Sequence, residues 1–472
     1  MLFNSYQFAF GFLPAVLILF WILSGSAQRR AAGAFLIFAS LFFYAWWNWH
    51  YLFLFLFSIG FNFLWSLLLV APEAASSSAV KLRRRKVLLG VGIAVNLALL
   101  GYFKYRNFLV EGAGAIVGAN WSLAPLILPL AVSFFTFEQI TFLTSAYRGE
   151  KGARDFVSYC LFITFFPHLI AGPIVRYDEI YPQFNRDTRF QLTAENLSAG
   201  LMIFVIGLFK KVMIADTYRL IANPLFDKAT ALSFWDAWGA ALAFSLQIYF
   251  DFSGYSDMAI GLARMFGVKF PENFDSPYQA RDIIQFWRRW HITLSSFLRD
   301  YLYIPLGGNR HGEVRRYVNL FITMLLGGLW HGASWTFVIW GALHGVFLSI
   351  NHLWVASKRR MPEPAAWALT FILVTGAWVF FRSPTFARAA QMLRAMAGLS
   401  GFSWATARRS IGWHEVRTIA IGLGLVLFCP NRQTIVAYQW RSDLGYAAAF
   451  AVLAGLSIMS MSNPPPFIYF QF

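Results

Sequence analysis

Two histidines lie inside apolar runs of the sequence, where an ionisable side chain is costly. His331 falls in GGLWHGASW and His344 in GALHG. Insertion scales put an ionisable group at the bilayer centre at about 2.5–3.5 kcal/mol, so groups retained there usually have a function. An imidazole, with its ordinary pKa of about 6.5, suits proton transfer from a hydroxyl or thiol near neutral pH. Glycines beside His331 leave room for a thin substrate, so this pattern favours His331 as a general base and His344 as a structural residue.

A third histidine, His291, lies in the basic and aromatic segment FWRRWHITLSSFLRD. Helical spacing predicts that His291 shares one face with Trp287 and Trp290. Arg288 and Arg289 lie beside them. One interpretation is an interfacial amphipathic helix whose arginines meet lipid phosphates. The other is that His291 faces a cavity while the arginines bind the phosphates of an anionic ligand, which suits the guanidinium fork.

Other kinds of site are poorly supported. The histidines of the two apolar runs are not spaced for metal ligation, no carboxylate accompanies them, and Cys160 and Cys429 match no metal spacing. We therefore expect no metal, and we interpret the cysteines as packing residues. The GxSxG motif of serine hydrolases is absent. His168, in FFPHLIAGP, is compatible with either a structural or a functional role.

The composition indicates a membrane protein. The chain has 472 residues, of which 58% are hydrophobic and 13% are charged, whereas soluble domains carry about 25% charged residues. The net charge of +17 comes from basic residues between apolar runs, such as KLRRRK at 81–86. Such clusters mark cytoplasmic loops that meet anionic membrane lipid, and they do not indicate nucleic-acid binding.

The elements that must position these residues are transmembrane helices. Apolar runs predict an all-α polytopic fold with about eleven transmembrane helices, besides re-entrant and interfacial ones. The candidate spans are 7–23, 33–47, 51–70, 87–103, 123–145, 156–175, 196–215, 235–265, 317–330, 334–354, 366–382, 416–430 and 445–461. Proline and glycine interrupt the middle of the chain, and backbone groups freed in a membrane must be buried in protein or face water. We therefore expect a cavity or tunnel within one membrane-embedded domain, 1–472.

Several long motifs, in this order, resemble the membrane-bound O-acyltransferases and, more narrowly, their bacterial alginate O-acetyltransferase branch. They are LPLAVSFFTFEQ, FFPHLIAGPIVR, DFSGYSDMAIG, FDSPY, FWRRWHITLSSFLRDYLYIPLGGNR and LLGGLWHGASWTFVIWGALHG. The resemblance covers nearly the whole chain and implies a catalytic core at about 125–350 around a central tunnel. It implies that His331 is the central catalytic histidine and that His291 is the second one.

The resemblance also implies the partners. The expected acyl donor is cytoplasmic acetyl-CoA, with Arg288, Arg289, Trp287 and Trp330 as candidate donor-binding residues and no bound cofactor. The acetyl group would pass to an extracytoplasmic SGNH-type acetyltransferase and finally to an exopolysaccharide, from a multi-pass protein of the bacterial inner membrane. The aromatic C-terminal tail, 467–472, resembles a tail in which a tyrosine has been proposed as acyl carrier. Tyr469 is then an acyl acceptor or part of a docking peptide.

Two other classes of function remain open from the sequence. A transporter would use the histidines as a proton relay and would move its cargo without covalent transfer. A scaffold would only dock the extracytoplasmic transferase and would not need His331.

Overall fold

The computed structural model describes the chain except for residues 25–28, 71–78, 151–154, 171, 185–192, 228–231, 403–410, 430, 432–443, 463–464, 466 and 469–472. The described residues form helices and connecting loops, with no strand among them. They form two compact units, and two of the three boundaries between them fall within helices. The first unit comprises Met1–Phe204 with Ser256–Pro271, and the second comprises Val205–Tyr255 with Glu272–Phe472.

Ten helices begin within the first unit's ranges, counting only the described residues. They are α1 (Leu13–Ser24), α2 (Arg29–Ala45), α3 (His50–Leu69), α4 (Ala79–Leu100), α5 (Arg106–Ile116), α6 (Val132–Arg148), α7 (Phe156–Thr164), α8 (Phe166–Leu169), α9 (Tyr177–Phe184) and α10 (Ala194–Phe209).

Ten more begin within the second unit's ranges over the described residues. They are α11 (Asp216–Asp227), α12 (Phe234–Met265), α13 (Ile283–Arg289), α14 (Ile292–Leu298), α15 (Glu313–His331), α16 (Trp335–Ala356), α17 (Glu363–Arg382), α18 (Phe386–Met396), α19 (Trp413–Phe428) and α20 (Leu444–Met459).

Wider π-helical turns connect or extend several of these helices. Gln7–Phe12 leads into α1, Gly101–Tyr105 joins α4 to α5, Lys210–Ala215 joins α10 to α11, and Arg299–Tyr303 extends α14.

Six helical stretches among the described residues are long and apolar enough to cross a membrane. They are Gln7–Ser24, His50–Leu69, Val80–Ile116, Ala194–Asp227, Trp335–Ala356 and Glu363–Arg382. Shorter apolar helices occupy Ala31–Ala45 and Ala447–Met459. The all-α, multi-pass fold is therefore confirmed, while the count of about eleven spans stays a prediction.

One candidate span, 123–145, is wrong in its first half. Residues 119–129 are not helical, and α6 begins only at Val132, after Ala131 has adopted a left-handed conformation (φ 61°). Pro125 and Pro129 explain the difference, because each lacks an N–H and restricts the residue before it. The span predicted at 156–175 is likewise divided, into α7 and the short α8, at Phe165.

Two pairs of buried polar side chains lie inside the first unit. Asn62 on α3 and Asn96 on α4 exchange two amide hydrogen bonds of 3.1 and 2.7 Å. His168 Nε2 lies 3.1 Å from a carboxylate oxygen of Glu138 on α6, and both side chains are buried. Polar contacts of this kind hold helices together where apolar surface meets lipid instead of water. His168 therefore has a structural partner within its own unit.

Candidate functional site

His331 is the last residue of α15, and a close contact between α15 and α16 holds it in place. A Cβ added at Gly328 would meet the carbonyl oxygen of Phe337, and one added at Gly341 would meet that of Met324. Glycines at these two positions let the helix backbones touch, as small residues do in membrane helix pairs. This contact places His331 beside Trp340 of α16.

Aromatic rings surround His331, whose side chain is only 3% exposed. The ring centroid of His331 lies 5.1 Å from Trp340, 5.3 Å from Phe381 on α17 and 5.0 Å from its chain neighbour Trp330. Trp378 stacks on Trp340 at 5.6 Å and so extends this wall. The wall keeps bulk water from the imidazole, which strengthens electrostatic interactions at that point.

His291 lies on a sharp turn, and the single helix predicted for its segment is wrong. Helix α13 ends at Arg289, His291 has a left-handed conformation (φ 43°, ψ 55°), and α14 begins at Ile292. His291 and Trp290 are thus not successive members of one helical face. A left-handed conformation at a non-glycine residue persists only where the surroundings hold it, and such residues concentrate at functional sites.

Asn273 holds the turn from the other side. Its side-chain oxygen lies 3.0 Å from His291 Nδ1, and it accepts hydrogen bonds from Thr293 Oγ1 and the Thr293 backbone N–H. The Ile292 N–H donates to the Asn273 backbone carbonyl at 3.0 Å. Because a backbone N–H can only donate, this Asn273 atom is an acceptor, and His291 Nδ1 must carry a hydrogen.

The opposite ring nitrogen of His291 is consequently the basic one. His291 Nε2 is buried, and no described residue forms a hydrogen bond with it. His291 is fully buried on a turn outside the apolar spans, and this burial lowers its pKa from 6.5 to about 3. His291 therefore presents a neutral imidazole whose Nε2 can accept a hydrogen bond.

The structure brings His291 and His331 together within the second unit. Their ring centroids lie 6.4 Å apart, and Trp330 lies 6.3 Å from His291. An acceptor hydroxyl between these two rings would lie near both imidazoles. The sequence had identified both histidines but could not establish that they are neighbours.

His344, expected to be structural, lies on α16 in the same unit. Its Nδ1 accepts a hydrogen bond from the indole N–H of Trp287 at 3.2 Å, and its ring packs 4.7 Å from Trp340. Trp287 is thus buried with its only polar atom engaged by His344. A direct contact between the Trp287 N–H and an acyl donor is not compatible with this arrangement.

The two arginines of the predicted donor site differ in their surroundings. Arg289 borders a cavity of about 560 Å³ in the second unit, whereas Arg288 is exposed and is not part of the lining. The cavity is lined by Gln279, Arg281, Gln285, Arg289, Trp367, Leu427 and Phe428. Arg281 already pairs with Glu363. The guanidinium of Arg289 has no described partner, so it can bind an anionic group.

Phe467 and Ile468 are the described residues of the C-terminal tail, 467–472. Phe467 and Ile468 are buried, and Phe467 packs at 4.6 Å on Tyr255 and at 5.7 Å on Phe252. Phe252 in turn packs edge-on at 4.6 Å against His291. Tyr469, the candidate acyl carrier, lies outside the described residues.

The sequence did not identify several residues that the structure places at this site, namely Asn273, Phe252, Trp340 and Phe381. Their side chains are common types in ordinary contexts, so no local pattern marks them. A stronger signal was present at Lys211 and Asp251, two charges within apolar runs. In the part of the chain that the structure describes, no group of three or more metal-ligating side chains occurs.

Comparison with known proteins is consistent with the motifs. Residues 139–384 match the model of the membrane-bound O-acyltransferase family. The chain is 44% identical to a peptidoglycan O-acetyltransferase of Helicobacter pylori, over 85% of this chain and 81% of that protein. It is 41% identical to a "Probable alginate O-acetylase AlgI" of Pseudomonas putida, over the full length of both.

A more distant relative is a teichoic acid D-alanyltransferase of Bacillus subtilis, 27% identical over 60% of this chain and 80% of that protein. The resemblance to the alginate O-acetyltransferase branch is thereby confirmed. A match across half the chain, together with relatives above 40% identity, shows that the chain belongs to the membrane-bound O-acyltransferase family and is an acyltransferase.

Proposed function

We propose that this protein is an O-acetyltransferase that moves acetyl groups from cytoplasmic acetyl-CoA across the bacterial inner membrane towards an exported, alginate-like polysaccharide. The observation that carries the proposal is the pair of buried imidazoles, His291 and His331, with ring centroids 6.4 Å apart behind a wall of aromatic rings. The names of the relatives, alginate and peptidoglycan O-acetylases, support acetyl as the group and a glycan as the final acceptor.

In the proposed reaction His331 is the general base. It takes the proton of the acceptor hydroxyl as that oxygen attacks the thioester carbonyl of acetyl-CoA. The C–S bond then breaks, and the CoA thiolate takes the proton back from the imidazolium. Burial among rings favours this role because the base works where water does not compete for its lone pair.

His291 orients the acceptor. Two roles are open to an imidazole at this position, namely orienting the acceptor and donating a hydrogen bond to the tetrahedral oxyanion. The hydrogen on Nδ1 points at Asn273, and the lowered pKa keeps Nε2 unprotonated. A bare Nε2 can accept a hydrogen bond from a hydroxyl but cannot donate one to an oxyanion, which supports the orienting role.

The donor enters by way of the polar cavity. Of the four candidate donor-binding residues, Arg289 is the one that lines this cavity and is able to bind CoA phosphates. Trp330 flanks both histidines and would border the acyl group. Trp287 packs on His344, and Arg288 is a cation at the surface, so neither binds the donor in this proposal.

The acceptor is Tyr469 or a serine of an extracytoplasmic SGNH-type transferase, which then modifies the polymer. A tyrosine hydroxyl has an ordinary pKa of about 10, so it needs a base to attack near pH 7. Phe467 and Ile468, which precede Tyr469, are buried in the same unit as the histidines. This location supports Tyr469 as a residue that takes part in transfer.

The test compares His331→Ala with the matched variant His311→Ala, an exposed histidine outside the site. Turnover of acetyl-CoA by purified protein in detergent should fall by about 100-fold or more in His331→Ala, the usual contribution of a general base. His311→Ala should retain wild-type turnover. Near-normal turnover in folded His331→Ala protein would refute the assignment.

The same variant, His331→Ala, separates the two non-enzymatic alternatives when polymer acetylation is also measured. A transporter would move acetyl groups without consuming the thioester, and a scaffold would keep polymer acetylation in His331→Ala. Membership of an acyltransferase family favours the enzyme over both.

A further inference from the structure

A buried lysine lies between two carboxylates near the centre of the second unit. Lys211, on the π-helical turn before α11, is 2% exposed at its side chain. Its Nζ lies 2.6 Å from Asp251 of α12 and 2.8 Å from Asp216 of α11. None of the reaction steps proposed above uses these three groups.

Asp251 also binds the C-terminal tail. One carboxylate oxygen faces Lys211, and the other accepts the Ile468 backbone N–H at 2.8 Å. Asp251 and Ile468 are 217 positions apart in the sequence. Hydrogen bonds to a charged acceptor are about twice as strong as neutral ones, so this bond is a strong tether for a short segment.

The side chains around this hydrogen bond also hold the tail. Phe467 stacks on Tyr255 and packs on Phe252, both within one helical turn of Asp251 on α12. One end of the tail is thus held by a ring stack and a charge-assisted hydrogen bond. Phe252 connects this anchor to the site, because its other edge packs on His291.

A buried ion pair of this kind adds little net stability, because the cost of removing the charges from water offsets their attraction. Such pairs are best explained when they specify one arrangement of the chain. The arrangement specified here is the position of the tail.

We propose that Asp251, held in place by Lys211, is a positioning residue that anchors Phe467 and Ile468 of the C-terminal tail beside Phe252, next to the histidine pair. This inference rests on the proposed function. Tethering raises the effective concentration of the tail at the site without adding a catalytic group.

The test measures hydrogen–deuterium exchange of the C-terminal peptide in full-length protein in detergent. Asp251→Asn keeps the side-chain volume and leaves Lys211 paired with Asp216. The remaining amide oxygen would turn to Lys211 and present an NH₂ group to the Ile468 N–H. We expect exchange in the tail to accelerate by about tenfold or more, the effect of losing a hydrogen bond to a charged group.

Asp216→Asn is the matched control. It removes the other carboxylate from the same lysine but does not touch the tail. Its tail should exchange at the wild-type rate. Equal acceleration in both variants, or wild-type exchange in folded Asp251→Asn, would overturn the proposal.

Ile468→Pro provides a second approach if Asp251→Asn does not fold. Proline removes the N–H and leaves every charged group in place. The remaining tail amides should again exchange faster, and unchanged protection would contradict the anchor. Hydrogen–deuterium exchange needs no acetyl donor, so it tests the anchor independently of the reaction. If the tail exchanges faster in the variants but the wild-type protein transfers no acetyl group, the anchor stands and the proposed function is refuted.

Transfer kinetics separate positioning from chemistry. In Asp251→Asn the rate of acetyl transfer to polymer should fall by about tenfold, while the KM for acetyl-CoA stays at the wild-type value. A raised KM with an unchanged maximal rate would assign Asp251 to donor binding and refute the positioning role.

Discussion

His291 is held neutral, and this determines what a single imidazole can contribute at this site. Its Nδ1 hydrogen points at Asn273, and its buried position disfavours a positive charge. A conventional surface histidine would be partly protonated at pH 6 and would lose its acceptor atom. Burial therefore keeps Nε2 of His291 available as a hydrogen-bond acceptor at pH 6.

The lowered pKa of His291 predicts a pH-dependent stability. In the unfolded chain His291 binds a proton below about pH 6.5, whereas in the folded chain it binds one only near pH 3. The unfolded state therefore binds more protons than the folded state between these pH values. As a result, the contribution of His291 to folding stability falls by about 1.4 kcal/mol per pH unit as the pH drops below about 6.5.

His291→Asn removes this titration. On going from pH 7.5 to pH 5.0, we expect the variant to lose about 2 kcal/mol less stability than wild type, measured by thermal unfolding in detergent. Parallel pH profiles for the two proteins would contradict a neutral, buried His291.

Arg288 and Arg289 offer a second prediction at the scale of single residues. Arg289→Gln should raise the KM for acetyl-CoA by about tenfold or more, since it removes a charged hydrogen-bond donor from the cavity. Arg288→Gln, the same change one position away on the exposed side, should alter the KM by less than about twofold. Steady-state kinetics with both variants test this, and equal effects would disprove the distinction between the two arginines.

Two neighbouring helices, α15 and α16, determine where His331 points. Their backbones touch at Gly328 and Gly341, and no side chain fits between them at these positions. Moving either helix outwards would displace His331 from Trp340 without changing any residue of the site.

We therefore expect Gly328→Ala to disturb the position of His331 without changing any residue of the site. The added methyl group meets the Phe337 carbonyl, so we expect a loss of about 1–3 kcal/mol in stability and a clear loss of turnover. Gly376→Ala on α17 is the control, since a Cβ there meets nothing within 4 Å. Thermal unfolding and acetyl-CoA turnover of both variants provide the measurement. Wild-type values for Gly328→Ala would show that α15 and α16 tolerate separation.

For the whole molecule, two segments far apart in the sequence lie close to each other at the candidate site. The segment around 286–344 contains the two histidines, and Phe467 and Ile468 lie in the same unit. The described part of the tail therefore packs in the unit that contains the candidate site.

The acyl-carrier role of Tyr469 is tested with the full chain. Incubation with acetyl-CoA should add one acetyl group to wild type, seen as an intact-mass shift, and none to Tyr469→Phe. The variant should also lose polymer acetylation, because phenylalanine has no hydroxyl to accept the group. If Tyr469→Phe acetylates polymer normally, the tail serves for docking and the acceptor is the partner's serine.

The sequence by itself determined the class of protein and indicated His331 as the candidate general base. Apolar runs of membrane length established an all-α membrane protein. His331 was recognisable because an ionisable side chain inside an apolar run is energetically costly and is usually functional. Long motifs in order were enough to establish the family. These properties depend on local composition and on residues close in sequence, so they can be read without coordinates.

Only the tertiary structure decided how the site is assembled. The helical pattern of 286–300 did not reveal the turn at His291, because Asn273, 18 positions earlier, stabilises that turn. The tail was not expected to meet Asp251, because the bond between Asp251 and Ile468 spans 217 positions. Hydrogen bonds and ring contacts between distant segments leave no periodic pattern in the sequence, and they form only when packing brings those segments together.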